Sequence, residues 1–195
     1  MRADAKRKRQ AIINAATQQY RTVPEGEITL EGIAKDAGVG IATLYRHFPT
    51  HEDLRLACAM DLIAWLEEFF TVEMDTFDQA PERNWERIIW TLVDNGLGML
   101  IAALAPKTVE GESVEVARKR NEVIGLFGQL LRKASSHGLV SADADPLEVA
   151  AEMIVVTRPQ PESVNDLFPD VRNRLVQHLL KAWRQPVQRS EVPGP

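Results

Sequence analysis

The chain has 195 residues, 45% hydrophobic and 26% charged, which is enough apolar material for one small unit and one larger one, each with a packed core. A single cysteine, Cys58, excludes a disulfide framework and a cysteine-rich zinc site and fits a reducing cytoplasm. The net charge of −5 argues against a general nucleic-acid coat; within residues 1–24, however, Arg2, Lys6, Arg7, Lys8, Arg9 and Arg21 stand against Asp4 alone, so a basic segment precedes an acidic remainder.

Strand signals are nearly absent and helical periodicity dominates, which predicts an all-α chain. A first helix is predicted from about Asp4 to Tyr20, with Ile12, Ile13, Ala16 and Tyr20 on one side and Pro24-Glu25-Gly26 as its end. The run Lys6 to Arg9 reads either as a solvated, disordered start or as an arm for phosphates, where cations gain affinity by releasing counterions. The basic, then polar, N-terminus shows no secretion signal, so the expected location is the cytoplasm.

Leu30, Ile33, Ala34 and Ala37 are spaced i, i+3, i+4, i+7, one apolar face of a short helix, and Thr29 is placed to cap it. Gly38 follows where that helix must end in a left-handed residue. Leu44 and Phe48 share a face of a second short helix, and Val39 fills the elbow. Two short helices joined by a glycine-containing turn make a helix-turn-helix, whose second helix enters the major groove of DNA. Thr50 and Asp53 resemble a capping box opening a long helix toward Thr76. Its apolar stripe is Leu54, Cys58, Leu62, Trp65, Leu66, Phe69 and Phe70.

Pro81 precedes what reads as one long helix through Trp85, Ile88, Ile89, Leu92, Val93, Gly96, Leu97, Leu100 and Ile101, apolar almost all round and expected at the centre of the larger unit. Asp94, Asn95, Gly96 and Gly98 interrupt it, so it reads as a core helix and not a membrane span. Asp94 and Asn95, if buried there, need partners from a neighbouring helix or a ligand. A loop at Pro106 to Gly111 and a helix over Val116 to Ala134, ended by His137-Gly138, come next. Asp145-Pro146-Leu147-Glu148 opens a helix to about Val156, and Arg158-Pro159-Gln160-Pro161 breaks it. A last helix spans about Phe168 to Trp183. The expected division is a helix-turn-helix head at 1–50, a helical body at 51–184 and a disordered tail at 185–195.

On the second short helix, Arg46 can hold a phosphate or pair with guanine, with a plain solvated arginine as the alternative. The hydroxyls of Thr43 and Tyr45 can hold phosphates, and the small Gly40 and Ala42 permit close approach; Tyr45's ring is expected to be partly core. Arg46 and His47 lie off the face of Leu44 and Phe48. Ile41 is open between a core role and a DNA-facing one. His51, in the first turn of the long helix, either meets an anion or is an ordinary exposed histidine. No catalytic residue, metal or cofactor is expected: His47, His51, His137 and His178 lack ligand spacing, and Asp143 and Asp145 belong to a helix start.

The ordered pieces Thr29, Ile33-Ala34, Ala37-Gly38-Val39, Thr43-Leu44-Tyr45, His47-Phe48 and His51-Glu52-Asp53-Leu54 resemble the N-terminal signature of the TetR family of transcriptional regulators, over roughly residues 8–58. Gly40 stands where a serine often caps, Ala42 where a glycine is frequent and His51 where many members have lysine. The resemblance implies an N-terminal three-helix helix-turn-helix head plus a C-terminal antiparallel helical ligand-binding and dimerisation domain. It implies double-stranded operator DNA as a partner, contacted by Lys6, Arg9, Thr29, Gly40, Ile41, Ala42, Thr43, Tyr45, Arg46, His47 and His51. It implies a small-molecule effector in a mostly apolar cavity, for which Trp65, Phe69, Trp85, Ile89, Met99, Phe127 and Leu131 are candidates, each with plain core packing as the alternative. It also implies a homodimer through the last helices, with Leu147, Ala150, Ala151, Ile154, Leu175, Leu179 and Trp183 on the shared face. The expected function is thus a ligand-responsive repressor, released from a palindromic operator by a small apolar effector, with no membrane partner. A helical interaction module whose basic arm takes an acidic protein is the competing reading, and an enzyme with a hydrophobic active site is a third.

Overall fold

The computed structural model describes residues 2–23, 25–104, 114–157 and 162–186, without the side chains of residues 2, 25, 99, 102, 103, 162, 164 and 165. Among the described residues the elements are α1 (Arg2–Thr22), α2 (Leu30–Asp36), α3 (Ile41–His47), α4 (His51–Thr76), α5 (Pro81–Asp94), α6 (Leu97–Leu104), α7 (Val114–Ser136), α8 (Pro146–Val156), α9 (Glu162–Leu167) and α10 (Val171–Ala182), with 3-10 turns at Glu25–Glu27 and Phe77–Gln79. The fold is all-α: a helix-turn-helix head followed by a helical body. The breaks expected at Pro24, at Pro106 to Gly111 and at Arg158 to Pro161 fall on residues outside the described ones, as does the tail beyond residue 186.

Short-range chemistry sets most helix ends. Thr29 Oγ1 accepts from the Gly32 N–H at 3.1 Å and opens α2. Thr50 and Asp53 complete a reciprocal capping box at the start of α4, each side chain accepting from the other's backbone N–H at 3.0 Å. Asp145 Oδ1 accepts from the N–H groups of Leu147 and Glu148 at 2.8 and 3.1 Å and opens α8. Gly38, with φ +65°, ends α2 in the left-handed conformation that glycine adopts without a Cβ penalty.

Three expectations are corrected. The basic run Lys6 to Arg9 is not a separate arm: α1 begins at Arg2, and Asp4 draws in Arg7 and Lys8 at 3.2 and 2.8 Å, pairs one turn apart that favour the helix. The helix expected over Trp85 to Ile101 is two helices. Gly96 takes φ +62°, its N–H turns back to the Val93 carbonyl, and α6 starts afresh at Leu97. Asp94 and Asn95 therefore sit at a helix end and not in the core; Asp94 is exposed, and Asn95 satisfies its Nδ2 on the Thr91 carbonyl at 2.8 Å. The six-residue α9 has no counterpart in the sequence reading.

Two cores result. The first joins Ile12, Ile13, Ala16 and Tyr20 of α1 to Leu30, Ile33 and Ala34 of α2, Leu44 and Phe48 around α3, Leu54, Cys58 and Ala59 of α4, and Leu100 and Leu104 of α6. The second holds Ile63, Leu66 and Phe70 of α4 with the inner faces of α5, α7, α8 and α10. Helix α4 belongs to both, and Leu62 packs against both. Helix α6 also bridges: its end lies in the first core, while Gly98 presses so closely on α8 that a Cβ there would lie 2.7 Å from the Ile154 carbonyl oxygen.

Candidate nucleic-acid interface

Helix α3 is anchored by Leu44 and Phe48, both buried in the first core. Fixing that face turns the rest of α3 outward. Ile41 is 37% exposed and Tyr45 46%, Ala42 and Arg46 are exposed, and Thr43 and His47 are half-buried. Ile41 thus lies outside the core cluster, and Tyr45 is more open than a partly core ring requires. Gly40, the N-cap residue, is extended at φ −71° and ψ 146° and supplies no side-chain acceptor, so no side chain shields that end of the helix. Arg46 Nε donates to the Ala42 carbonyl at 3.1 Å, which lays the arginine back along its own helix.

Helix α1 brings positive charge beside α3. The Arg9 guanidinium stands 5.1 Å from the centroid of the Phe48 ring, a cation–π contact that ties α1 to the C-terminal end of α3. Lys6, one turn earlier, is exposed. The His47 ring lies 6.4 Å from Phe48, tilted against it. His51 is exposed in the first turn of α4. Thr29 lies outside α3 and spends its oxygen on the α2 cap.

The other predicted sets are distributed differently. Trp85, Ile89, Phe127 and Leu131 are buried members of the body core; Phe127 stacks on Phe70 at 5.4 Å. Trp65 and Phe69 are half-buried and stacked on each other at 5.2 Å. The side chain of Met99 lies outside the described residues. Two open clefts stand out: one of about 510 Å³ between α8 and α10, and one of about 300 Å³ between α1 and α4. Of the effector candidates, Trp65 lines the smaller, and none lines the larger.

In the dimer set, Leu147, Ala151 and Leu175 are exposed and Ala150, Ile154 and Leu179 half-buried. Trp183 behaves otherwise. It is 7% exposed, meets Trp85 edge-on at 6.2 Å and donates from Nε1 to Glu152 Oε2 at 2.5 Å, so it covers its own body. Val155 of α8, Leu167 of α9 and Phe168 just after it are further exposed apolar residues, and the periodicity of the sequence did not single them out. Arg55 is a further residue it missed: buried in α4, it bonds the Leu104 carbonyl, a partner with no sequence signal because it lies far along the chain. No helix of the described residues is long and apolar enough to cross a membrane, and these residues hold no group of three or more metal-ligating side chains.

Residues 12–58, the segment that supplies most of the first core and carries α3, match the family model described as bacterial regulatory proteins, tetR family. Over 54 residues the chain is 43% identical to an HTH-type transcriptional regulator of Staphylococcus aureus (strain USA300), a stretch that is 28% of this chain and 29% of that protein. The fold as a whole is similar to a TetR transcription regulatory protein from Mycobacterium vanbaalenii, with TM-score 0.61 and 24% identity over 94% of this chain and 99% of that one. It is also similar to a TetR transcriptional regulator from Streptomyces coelicolor, with TM-score 0.64 and 21% identity over 92% and 99%. The head is thus matched in sequence by the tetR family of bacterial regulatory proteins, and the fold of the chain as a whole is similar to that of TetR regulators.

Proposed function

We propose that this protein is a homodimeric repressor that binds a palindromic operator and is released by a small apolar effector. The observation that supports it best is the outward face of α3: Ile41, Ala42, Tyr45 and Arg46 are open to solvent while Leu44 and Phe48 hold the helix rigid, and Arg9 and Lys6 add charge beside it. In this reading Ile41 and the Thr43 methyl meet base edges, Tyr45 and Arg46 hold phosphates or guanine, and Lys6, Arg9 and His51 add phosphate contacts. Gly40 and Ala42 let the helix come close, and Thr29 orients the head.

One reading helix discriminates poorly, so a second copy is required. The exposed Leu147 and Leu175, with Ala150, Ala151, Ile154 and Leu179, are proposed as the shared face, which sets the two heads about 34–36 Å apart for successive major grooves. The effector is proposed to enter between α4, α5 and α7, beside the Trp65–Phe69 stack and against Trp85, Ile89, Phe127 and Leu131. Because α4 runs through both cores, moving it there moves the head. The effector acts only through its different affinity for the two arrangements.

Selection of binding sites from random-sequence duplex DNA tests the reading. An enriched inverted repeat, bound with strong salt dependence and lost in the Tyr45→Phe, Arg46→Ala double variant, is expected. No enrichment at low salt overturns the DNA-binding reading, and enrichment of single half-sites alone overturns the dimer. Titration of the bound operator with apolar ligands then tests release.

A further inference from the structure

The smaller cleft, between α1 and α4, is lined by Asn14, Arg21, Asp61, Leu62 and Trp65 among others and shares only Trp65 with the site proposed between α4, α5 and α7. Its unusual member is Arg21. The Nε of Arg21 is enclosed and has no hydrogen-bond partner, and among the described residues no carboxylate pairs with this side chain. Partial burial pushes its pKa down, with no carboxylate to offset it. Such a group costs free energy unless something supplies the missing acceptor.

The far end of the cleft has the opposite sign. Gln10 Nε2 donates to both Asn14 Oδ1 at 3.1 Å and Asp61 Oδ1 at 3.2 Å, which places Asp61 at the Asn14 level of α1. Arg21 lies two helical turns beyond Asn14, about 10 Å along the axis. Between the poles the wall is apolar, formed by Leu62 and the half-buried Trp65. A cleft of about 300 Å³ is at the small end of the range for small-molecule sites.

We propose that this cleft binds a small amphiphile of the ω-amino-acid type, its carboxylate on Arg21, its ammonium on Asp61 and its methylene chain along Leu62 and Trp65. The carboxylate gives the guanidinium a charge-assisted partner, and the ammonium prevents Asp61 from repelling the ligand. The site joins the first helix of the head to the helix shared with the body, so a ligand there touches both units; its existence does not depend on what the head binds.

Isothermal titration of the full chain with 8-aminooctanoate, octanoate and octylamine decides it. Saturable binding is expected for 8-aminooctanoate, and weaker binding for the two singly charged probes. Arg21→Gln weakens 8-aminooctanoate and octanoate by about tenfold or more, the loss of one charge-assisted hydrogen bond. Asp61→Asn weakens 8-aminooctanoate but not octanoate. Absence of saturable binding in the millimolar range, or equal affinities in wild type and Arg21→Gln, overturns the proposal. Should a variant fail to fold, the comparison of the three probes on the wild-type chain still decides, because octanoate or octylamine binding as well as 8-aminooctanoate also overturns it.

Discussion

The guanidinium of Arg55, in the second turn of α4, donates from Nη1 to the carbonyl oxygen of Leu104, 3.0 Å away in the last turn of α6. Its Nε and Nη2 hold Glu52 at 2.9 and 2.6 Å. One buried side chain thereby fastens the end of α6, a carbonyl that has no partner within its own helix, to the helix that leaves the head. Replacing Arg55 with alanine removes that donor from a buried carbonyl. The expected loss is about 1–3 kcal/mol of unfolding free energy. Urea denaturation of Arg55→Ala checks it, and an unchanged midpoint would refute the contact.

The crossing of α6 and α8 predicts the cost of a single methyl group. A Cβ at Gly98 would lie 1.9 Å from Thr157 Oγ1 and 2.7 Å from the Ile154 carbonyl oxygen, and the second is backbone that cannot rotate away. Gly98→Ala is expected to cost about 1–3 kcal/mol by overpacking. Gly125 in α7 has nothing within 4 Å of its built Cβ, so Gly125→Ala is expected to add about 0.5–1 kcal/mol through helix propensity. Thermal melts of the two variants should move in opposite directions.

Cys58 is buried against α1, where its Sγ lies 3.8 Å from the Ile13 carbonyl. Burial pushes the thiol up to about 12, so the reactive thiolate is essentially absent in the folded chain at neutral pH. A disulfide reagent at pH 8 should titrate no thiol in native protein and one after denaturation. Rapid native labelling would contradict this packing.

Asp78 takes Lys133 Nζ at 2.8 Å and His137 Nε2 at 2.9 Å, closing the turn after α4 against the end of α7. The hydrogen bonds from Lys133 first, then from His137, hold its carboxyl below the ordinary value of 3.8. A depressed carboxylate stabilises the fold above its unfolded pKa and loses that contribution as pH falls through the folded one. Asp78→Asn should therefore melt slightly lower than wild type at pH 7, with the gap closing below pH 3.8. A gap that persists in acid would point to a cause other than charge.

Ile41 separates stability from binding. Its side chain lies outside the core, so Ile41→Ala should shift stability by less than about 0.5 kcal/mol, as surface changes do. The same change should weaken binding to the selected duplex. Loss of stability without loss of binding would return Ile41 to the core.

Much of the head was legible because its determinants act within a few residues. Thr29, Gly38 and the Thr50–Asp53 box set helix ends through their own neighbours, and Leu44 and Phe48 mark the inward face of α3 by spacing alone. The body was legible mainly as helices. Gly96 was visible in the sequence, but an apolar run continuing through Leu97 to Ile101 masked the break that its left-handed backbone makes. Trp183 fits the spacing of an outward stripe, and nothing local reveals that Trp85 and Glu152 draw it inward.

The sequence by itself determined the helical class, the helix-turn-helix and the inward face of α3, since caps, glycine conformations and apolar periodicity are properties of adjacent residues. Only the tertiary structure decided that α4 and α6 serve two cores, that Arg55 finds the Leu104 carbonyl and that the Nε of Arg21 is left without an acceptor in a cleft that also holds Asp61. Burial and pairing are relations between segments distant along the chain, and they come into being when those segments pack together.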